Sequence, residues 1–276
     1  MKTKQLFITA FFLISLSQLK AQGPFFGFGV GYGVPISGTI LGYNSEDNNV
    51  SNTFFTENVR GSFGKGMNFN LYGGYMVNEN IGLELAANYL VGSKYTFTNV
   101  DINTNSSSTS IDEMNVTSFR LIPGFRIGFG ENKVRYYTRL ALAIGLVNKL
   151  TDNYNRTSTN PGGTDVTYES FEYTGGKYIG FSGGFGLTYN LSDNIALYGE
   201  LTRYFISWGA TNGELTAYTF NGSDQLGNLT TDQKKYEYVD RIDQSMNNNS
   251  GEPTKQLKSY TSMNSLGLNI GLHFTF

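Results

Sequence analysis

The last twelve residues, Ser265-Leu266-Gly267-Leu268-Asn269-Ile270-Gly271-Leu272-His273-Phe274-Thr275-Phe276, decide the fold. Every second side chain from Leu266 to Phe276 is large and apolar, and those between are small or polar. A period of two belongs to an extended strand with one apolar face. In a soluble sandwich that face turns inward to a core. In a barrel that spans a bilayer it turns outward to lipid, and the small and polar residues line the lumen. Alternation does not choose between the two; the connections do.

Working back along the chain, seven further stretches alternate in the same way, at about 25–37, 66–77, 81–95, 114–130, 134–147, 177–191 and 195–208, with the final one beginning near 259. Each exceeds the roughly 9–11 residues a tilted strand needs to cross a bilayer. Between them the connections alternate in length. Asn78-Glu79-Asn80, Glu131-Asn132-Lys133 and Ser192-Asp193-Asn194 are short and built of turn formers. The connections at about 38–65, 96–113, 148–176 and 209–258 are long and polar. Short turns on one side and long loops on the other are the pattern of an outer-membrane barrel, and a soluble sandwich gives no reason for it. Eight strands also return both ends of the mature chain to the periplasmic side. The expected fold is all-β: a transmembrane, antiparallel, up-and-down β-barrel of eight strands, with four long external loops and three short periplasmic turns.

Composition agrees. Aromatic and charged residues each make up 15% of the 276 residues, where soluble domains carry about 25% charged residues. Mean hydropathy is only −0.27, and no run after residue 21 approaches the roughly 18 apolar residues of a membrane helix. A net charge of −2 argues against an electrostatic nucleic-acid binder, and the absence of cysteine excludes both a disulfide framework and a lipoprotein anchor. Residues 1–21 read as a cleaved secretory signal, with Lys2 and Lys4 before an apolar Leu6–Leu16 segment and Leu19-Lys20-Ala21 before Gln22. Residues 22–276 are then the barrel.

The outward face suits lipid: Phe26, Phe28, Val30, Tyr32 and Val34 in the first strand; Leu83, Leu85, Ala87 and Tyr89 in the third; Phe119, Leu121, Phe125, Ile127 and Phe129 in the fourth; Leu140, Leu142, Ile144 and Leu146 in the fifth. Two residues break the pattern. Pro123 lies mid-strand, where proline normally marks a bulge or an edge. Arg203 points at lipid, so it either snorkels to the outer interface or is turned inward by a bulge.

The signal segment, the turn-and-loop asymmetry and the ending Leu272-His273-Phe274-Thr275-Phe276 resemble the small outer-membrane β-barrel domain family, of the OmpA/OmpX type of Gram-negative bacteria. The resemblance covers essentially the whole mature chain. It implies residence in the outer membrane and recognition of the last strand, through Phe274 and Phe276, by the barrel assembly machinery. No wall-binding domain is expected after the strand.

The inward face is uneven. Gly27, Gly29, Gly31 and Gly33, with Gly267, Asn269 and Gly271, make a thin wall, whereas Arg120, Arg126, Arg135, Tyr137 and Arg139 come from the fourth and fifth strands. Large arginines reaching toward glycine would fill a narrow eight-stranded lumen. Counted from the short turns, Glu84, Arg126, Arg139 and Glu200 share one height and face inward. This charge cluster reads either as a polar plug or gate, or as a static network that only packs the lumen.

No catalytic site is expected. The single histidine, His273, sits near the periplasmic end with Ser265 eight residues away, and arginines beside Glu84 and Glu200 would hold both carboxylates ionised. No metal spacing and no cofactor motif is present, and the glycines from Gly27 to Gly33 are not followed by a helix. In the fourth loop Tyr236, Val239, Ile242 and Met246 recur at near-helical spacing, so a short external helix or a strand extension is expected there. Acids such as Glu46, Asp47, Asp232, Asp240 and Asp243 read as solvated charge.

Lys65, Lys94, Lys149, Lys177 and Lys258 fall at external strand ends, while the periplasmic turns hold only Lys133. A ring of ammonium groups at that height would contact lipopolysaccharide phosphates, or it is simply solvated. The partners implied are outer-membrane lipid and lipopolysaccharide, the assembly machinery, and an extracellular or envelope protein at the loops. A structural membrane barrel with a plugged polar lumen is the favoured function. A narrow pore for ions or small solutes, and a surface receptor or adhesin acting through the loops, remain as alternatives.

Overall fold

The computed structural model describes residues 23–36, 38–130, 133–243 and 250–276. The signal segment, Glu131 and Asn132 of the second turn, and Met246 lie outside the described residues. No helix among the described residues is long and apolar enough to cross a membrane.

The alternating stretches form β1 (Gly23–Pro35), β2 (Gly66–Met76), β3 (Ile81–Gly92), β4 (Ser106–Phe129), β5 (Val134–Asn160), β6 (Tyr178–Asn190), β7 (Ile195–Phe205) and β8 (Ser265–Thr275). Each pairs antiparallel with its successor. β8 pairs back onto β1, from Phe25↔Thr275 to Pro35↔Ser265, so the wall has no free edge. Alternation then puts one set of side chains outside, as in β1, where Phe26, Phe28, Val30, Tyr32 and Val34 are all exposed and the glycines between them are buried.

Local chemistry closes the turns. Asn78 Oδ1 accepts from the backbone of Asn80 (2.9 Å) and Ile81 (2.7 Å), while Val77 N donates to Ile81 O at 2.8 Å. The turn between β6 and β7 repeats the backbone part, Leu191 N to Ile195 O at 2.8 Å.

The two sequence irregularities have distinct outcomes. β4 runs straight through Pro123, which keeps its place opposite Leu85. Toward β5 the ladder skips from Leu121↔Ile144 to Gly124↔Ala141, because proline has no N–H to donate. The bulge lies elsewhere, where Phe119 pairs Val147 but Arg120 pairs Gly145. The extra residue, Leu146, switches the inward set of β5 from Ala143 and Gly145 to Asn148 and Leu150. Arg203 is not turned inward by a bulge, since its pairings to Gly183 and Leu266 are in register. Its guanidinium lies 4.6 Å over the ring of Phe205, two residues nearer the outer rim on the same face, so it leans in the direction that snorkelling requires.

The long connections, expected as polar loops, are largely sheet. Ile40–Asn48 and Thr53–Arg60 form a hairpin. The β4–β5 ladder continues from Phe129↔Tyr136 to Ser107↔Thr159, so β5, at 27 residues, is about 90 Å long at roughly 3.4 Å per residue, far more than a bilayer needs. Gly163–Thr174 and Asn212–Phe220 extend this sheet outside the membrane. Polar composition misleads here because few of these side chains are fully buried, so polar residues occupy either face. In the fourth loop the strand alternative holds for Tyr236 and Val239, since Lys235–Val239 is a strand, and a short helix precedes it at Thr231–Lys234, started by reciprocal Thr230 and Gln233 capping.

The glycine wall is faced by tyrosine and asparagine, not directly by the arginines. A Cβ at Gly29 would fall on the Tyr198 hydroxyl and the Ile270 carbonyl, and one at Gly27 on the Tyr72 ring. Gly29→Ala is therefore expected to lower barrel stability by about 1–3 kcal/mol, read as the midpoint of heat-modified mobility. Adding Tyr198→Phe should restore part of the loss; no gain in the double variant would show that the hydroxyl is not the obstacle.

Candidate functional site

The candidate site is the lumen, which is filled in layers. At the periplasmic end a cavity of about 490 Å³ is lined by Phe25, Arg126, Arg135, Tyr137 and His273 among others. Arg135 is anchored there by a 2.7 Å bond from Nη2 to Glu79 O. His273 Nδ1 lies 3.1 Å from the Tyr72 hydroxyl and its ring stacks on that of Tyr72. Ser265, eight residues along β8, is fully buried at the other end of the strand, so the two form no nucleophile–base pair.

Above this cavity Glu84 of β3, Arg126 of β4, Arg139 of β5 and Glu200 of β7 are in contact. Arg126 Nε donates to Glu84 Oε2 at 2.7 Å, Arg139 Nη1 to Glu84 Oε1 at 3.0 Å, and Arg139 Nη2 to Glu200 Oε1 at 2.7 Å. All four side chains are at most 7% exposed. Glu84 thus bridges two arginines, and Arg139 bridges two glutamates. Aromatic rings collar the ladder, with the Arg126 guanidinium 4.1 Å from the Tyr137 ring centre and 4.9 Å from that of Tyr72.

The network continues through Asn269 of the thin wall and through four residues that sequence reasoning did not single out, Asn68, Asn70, Asn88 and Thr202. Thr202 Oγ1 donates to Glu200 Oε1 at 2.5 Å and accepts from Asn269 Nδ2 at 2.8 Å. Asn70 Nδ2 donates to Asn269 Oδ1 (3.0 Å), and Asn88 Nδ2 to Asn70 Oδ1 (2.7 Å) and Asn68 Oδ1 (3.2 Å). Their signal was the inward phase of alternation, which Asn68, Asn70, Asn88 and Thr202 all occupy. Polar side chains so placed satisfy one another where water is excluded. Above them Leu90, Val116, Ile206, Trp208 and Met263 form a buried apolar layer. Beyond that layer an external cavity of about 470 Å³ is lined by Phe63, Tyr173, Trp208 and Tyr260 among others.

The rim lysines are not equivalent. Lys94 pairs with Glu113 at 2.7 Å, Lys149 with Glu172 at 2.5 Å and Lys258 with Asp240 at 3.7 Å. Lys65 lies 5.3 Å over the Tyr95 ring, and Lys177 is exposed. At the last strand Phe274 packs on Phe26 and Phe28 with ring centres 5.9 and 6.1 Å apart, whereas Phe276 is 73% exposed. Phe276 N still donates to Pro24 O at 3.2 Å.

Outside the membrane, burial and the facing carboxylates of Asp112 and Glu169 push the Asp152 carboxyl up to about 8. A raised folded pKa makes a stabilising contribution that is complete below the ordinary aspartate range and is lost as pH rises through about 8. Protease sensitivity of the external β4–β5 ladder is expected to rise between pH 6 and 9, and Asp152→Asn should flatten that profile. A variant as pH-sensitive as the wild type would refute it.

A wall of paired strands without an edge, an apolar outer face and a charged lumen define an outer-membrane β-barrel protein. The chain belongs to the outer membrane protein β-barrel domain family, whose sequence profile matches residues 6–223. This places it in the outer membrane of a Gram-negative envelope. Similar solved structures include OprG of Pseudomonas aeruginosa (11% identity, 93% of this chain and 97% of that one, TM-score 0.42). Ail of Yersinia pestis matches at 10% identity over 92% and 99% of the two chains, with a TM-score of 0.32. CarO2 of Acinetobacter baumannii matches at 15% over 94% and 100%, with a TM-score of 0.31. Among curated proteins no sequence match is found.

Proposed function

We infer that the protein is an eight-stranded up-and-down barrel, exported with loss of residues 1–21, whose lumen is closed by a polar plug, and that its role is structural at the cell surface rather than catalytic. The observation that carries this reading is the Glu84–Arg126–Arg139–Glu200 ladder, which joins β3, β4, β5 and β7 between the two end cavities. Buried charges so fully matched resist hydration, because opening a path would strand each of them. Planar-bilayer recording of the wild type should therefore show no steady conductance. A stable ohmic channel would sink the plug and leave the narrow pore.

One observation favours a surface-receptor role as a second reading. The hairpin of Ile40–Asn48 and Thr53–Arg60 exposes Tyr43, Val50, Phe54 and Phe55, and since neighbouring strand residues face opposite ways it is bare on both sides. Deleting 41–59 should abolish partner binding without loss of folding. For lipopolysaccharide, Lys65 and Lys177 are the better contacts of the five, since the other three already face carboxylates.

A further inference from the structure

We propose that Arg120 is a buried binding site for a single small inorganic anion of the halide class. Among the described residues the buried charged side chains are Arg120, Arg126, Arg139, Glu84 and Glu200, three cations against two anions. Both glutamates are engaged by Arg126 and Arg139, so the surplus positive charge resides on Arg120. Its relative exposure is 0%, and Nε, Nη1 and Nη2 all lack a hydrogen-bond partner among the described residues. A guanidinium cannot shed its proton to escape burial.

The surroundings define what fits. Tyr204 covers one face of the guanidinium at 4.9 Å, which leaves the N–H groups free in the plane of the group. One strand across from Tyr204, Ser182 carries another buried hydroxyl without a partner. Water bridging to Asn88 Oδ1, the unpartnered acceptor on the neighbouring strand, would satisfy donors but leave the charge unmatched. An anion satisfies both. Arg120 is fully enclosed and the buried apolar layer of Leu90, Val116, Ile206, Trp208 and Met263 offers no further polar partner, so the ligand class that fits is a monatomic anion rather than a carboxylate- or phosphate-bearing solute. The site lies above the glutamate–arginine ladder and does not depend on whether that ladder gates.

The test uses the full mature chain in a non-ionic detergent. Crystals grown in sodium bromide should show an anomalous bromide peak within hydrogen-bond reach of the Arg120 guanidinium. In solution, bromide or chloride, compared with gluconate at equal ionic strength, should raise the unfolding midpoint by on the order of 3 °C for each tenfold increase beyond saturation. Arg120→Met should lose that halide response. Water in place of bromide at saturating concentration, or an equal halide response in Arg120→Met, overturns the assignment. Should the variant not fold, the diffraction experiment on the wild type decides alone.

Discussion

Glu84→Ala is expected to destabilise the barrel by about 3–5 kcal/mol, the penalty for removing one partner of a buried ion pair. Among the described residues Glu84 is the sole anion bonded to Arg126 and one of two bonded to Arg139. Its loss strands Arg126 among Phe25, Tyr72 and Tyr137. Glu200→Ala should cost less, because Arg139 keeps Glu84. The double variant Glu84→Ala/Arg126→Met removes the stranded charge and should recover most of the stability, the pair being strongly coupled. Urea unfolding in lipid vesicles measures all three, and planar-bilayer recording shows whether Glu84→Ala also leaks. Identical midpoints for wild type and Glu84→Ala would mean that the ladder contributes nothing, and identical midpoints for single and double variants would mean that stranded charge is not the cause.

Replacing Phe274 and Phe276 together by Ser is expected to remove most of the inserted barrel from cells while leaving refolding into micelles largely intact. The two rings have different surroundings. Phe274 packs on Phe26 and Phe28, so its truncation costs wall stability in any environment. Phe276 is largely exposed, and its ring is left free to be read by an assembly partner or to sit at the interface. Phe276→Ser alone should therefore reproduce much of the cellular defect with little change in the unfolding midpoint. Equal cellular yields of heat-modifiable barrel for wild type and Phe276→Ser would remove the assembly role from the terminal ring.

What could be read without the structure was what is local. Period-two alternation, Asn- and Ser-rich turns and unequal connections define strands, their order and their lipid-facing sides, because side-chain direction and turn geometry depend on residues within a few positions of each other. Facing and a count from the turns also single out Glu84, Arg126, Arg139 and Glu200 as inward residues of one height. Register across strands is not local. The extra residue at Leu146, the ladder skipped beside Pro123 and the in-register outward course of Arg203 appear only when two strands are laid together. The external connections show the same limit: with few side chains fully buried, apolar alternation is weak and sheet reads as polar loop. Tertiary structure alone decided that Glu84 bridges two arginines, that Asn68, Asn70, Asn88 and Asn269 join them through Thr202, and that Arg120 is left with its charge unmatched. Each of those facts depends on strands far apart in sequence meeting across a narrow lumen, where closure and stagger of the wall set which side chains can touch.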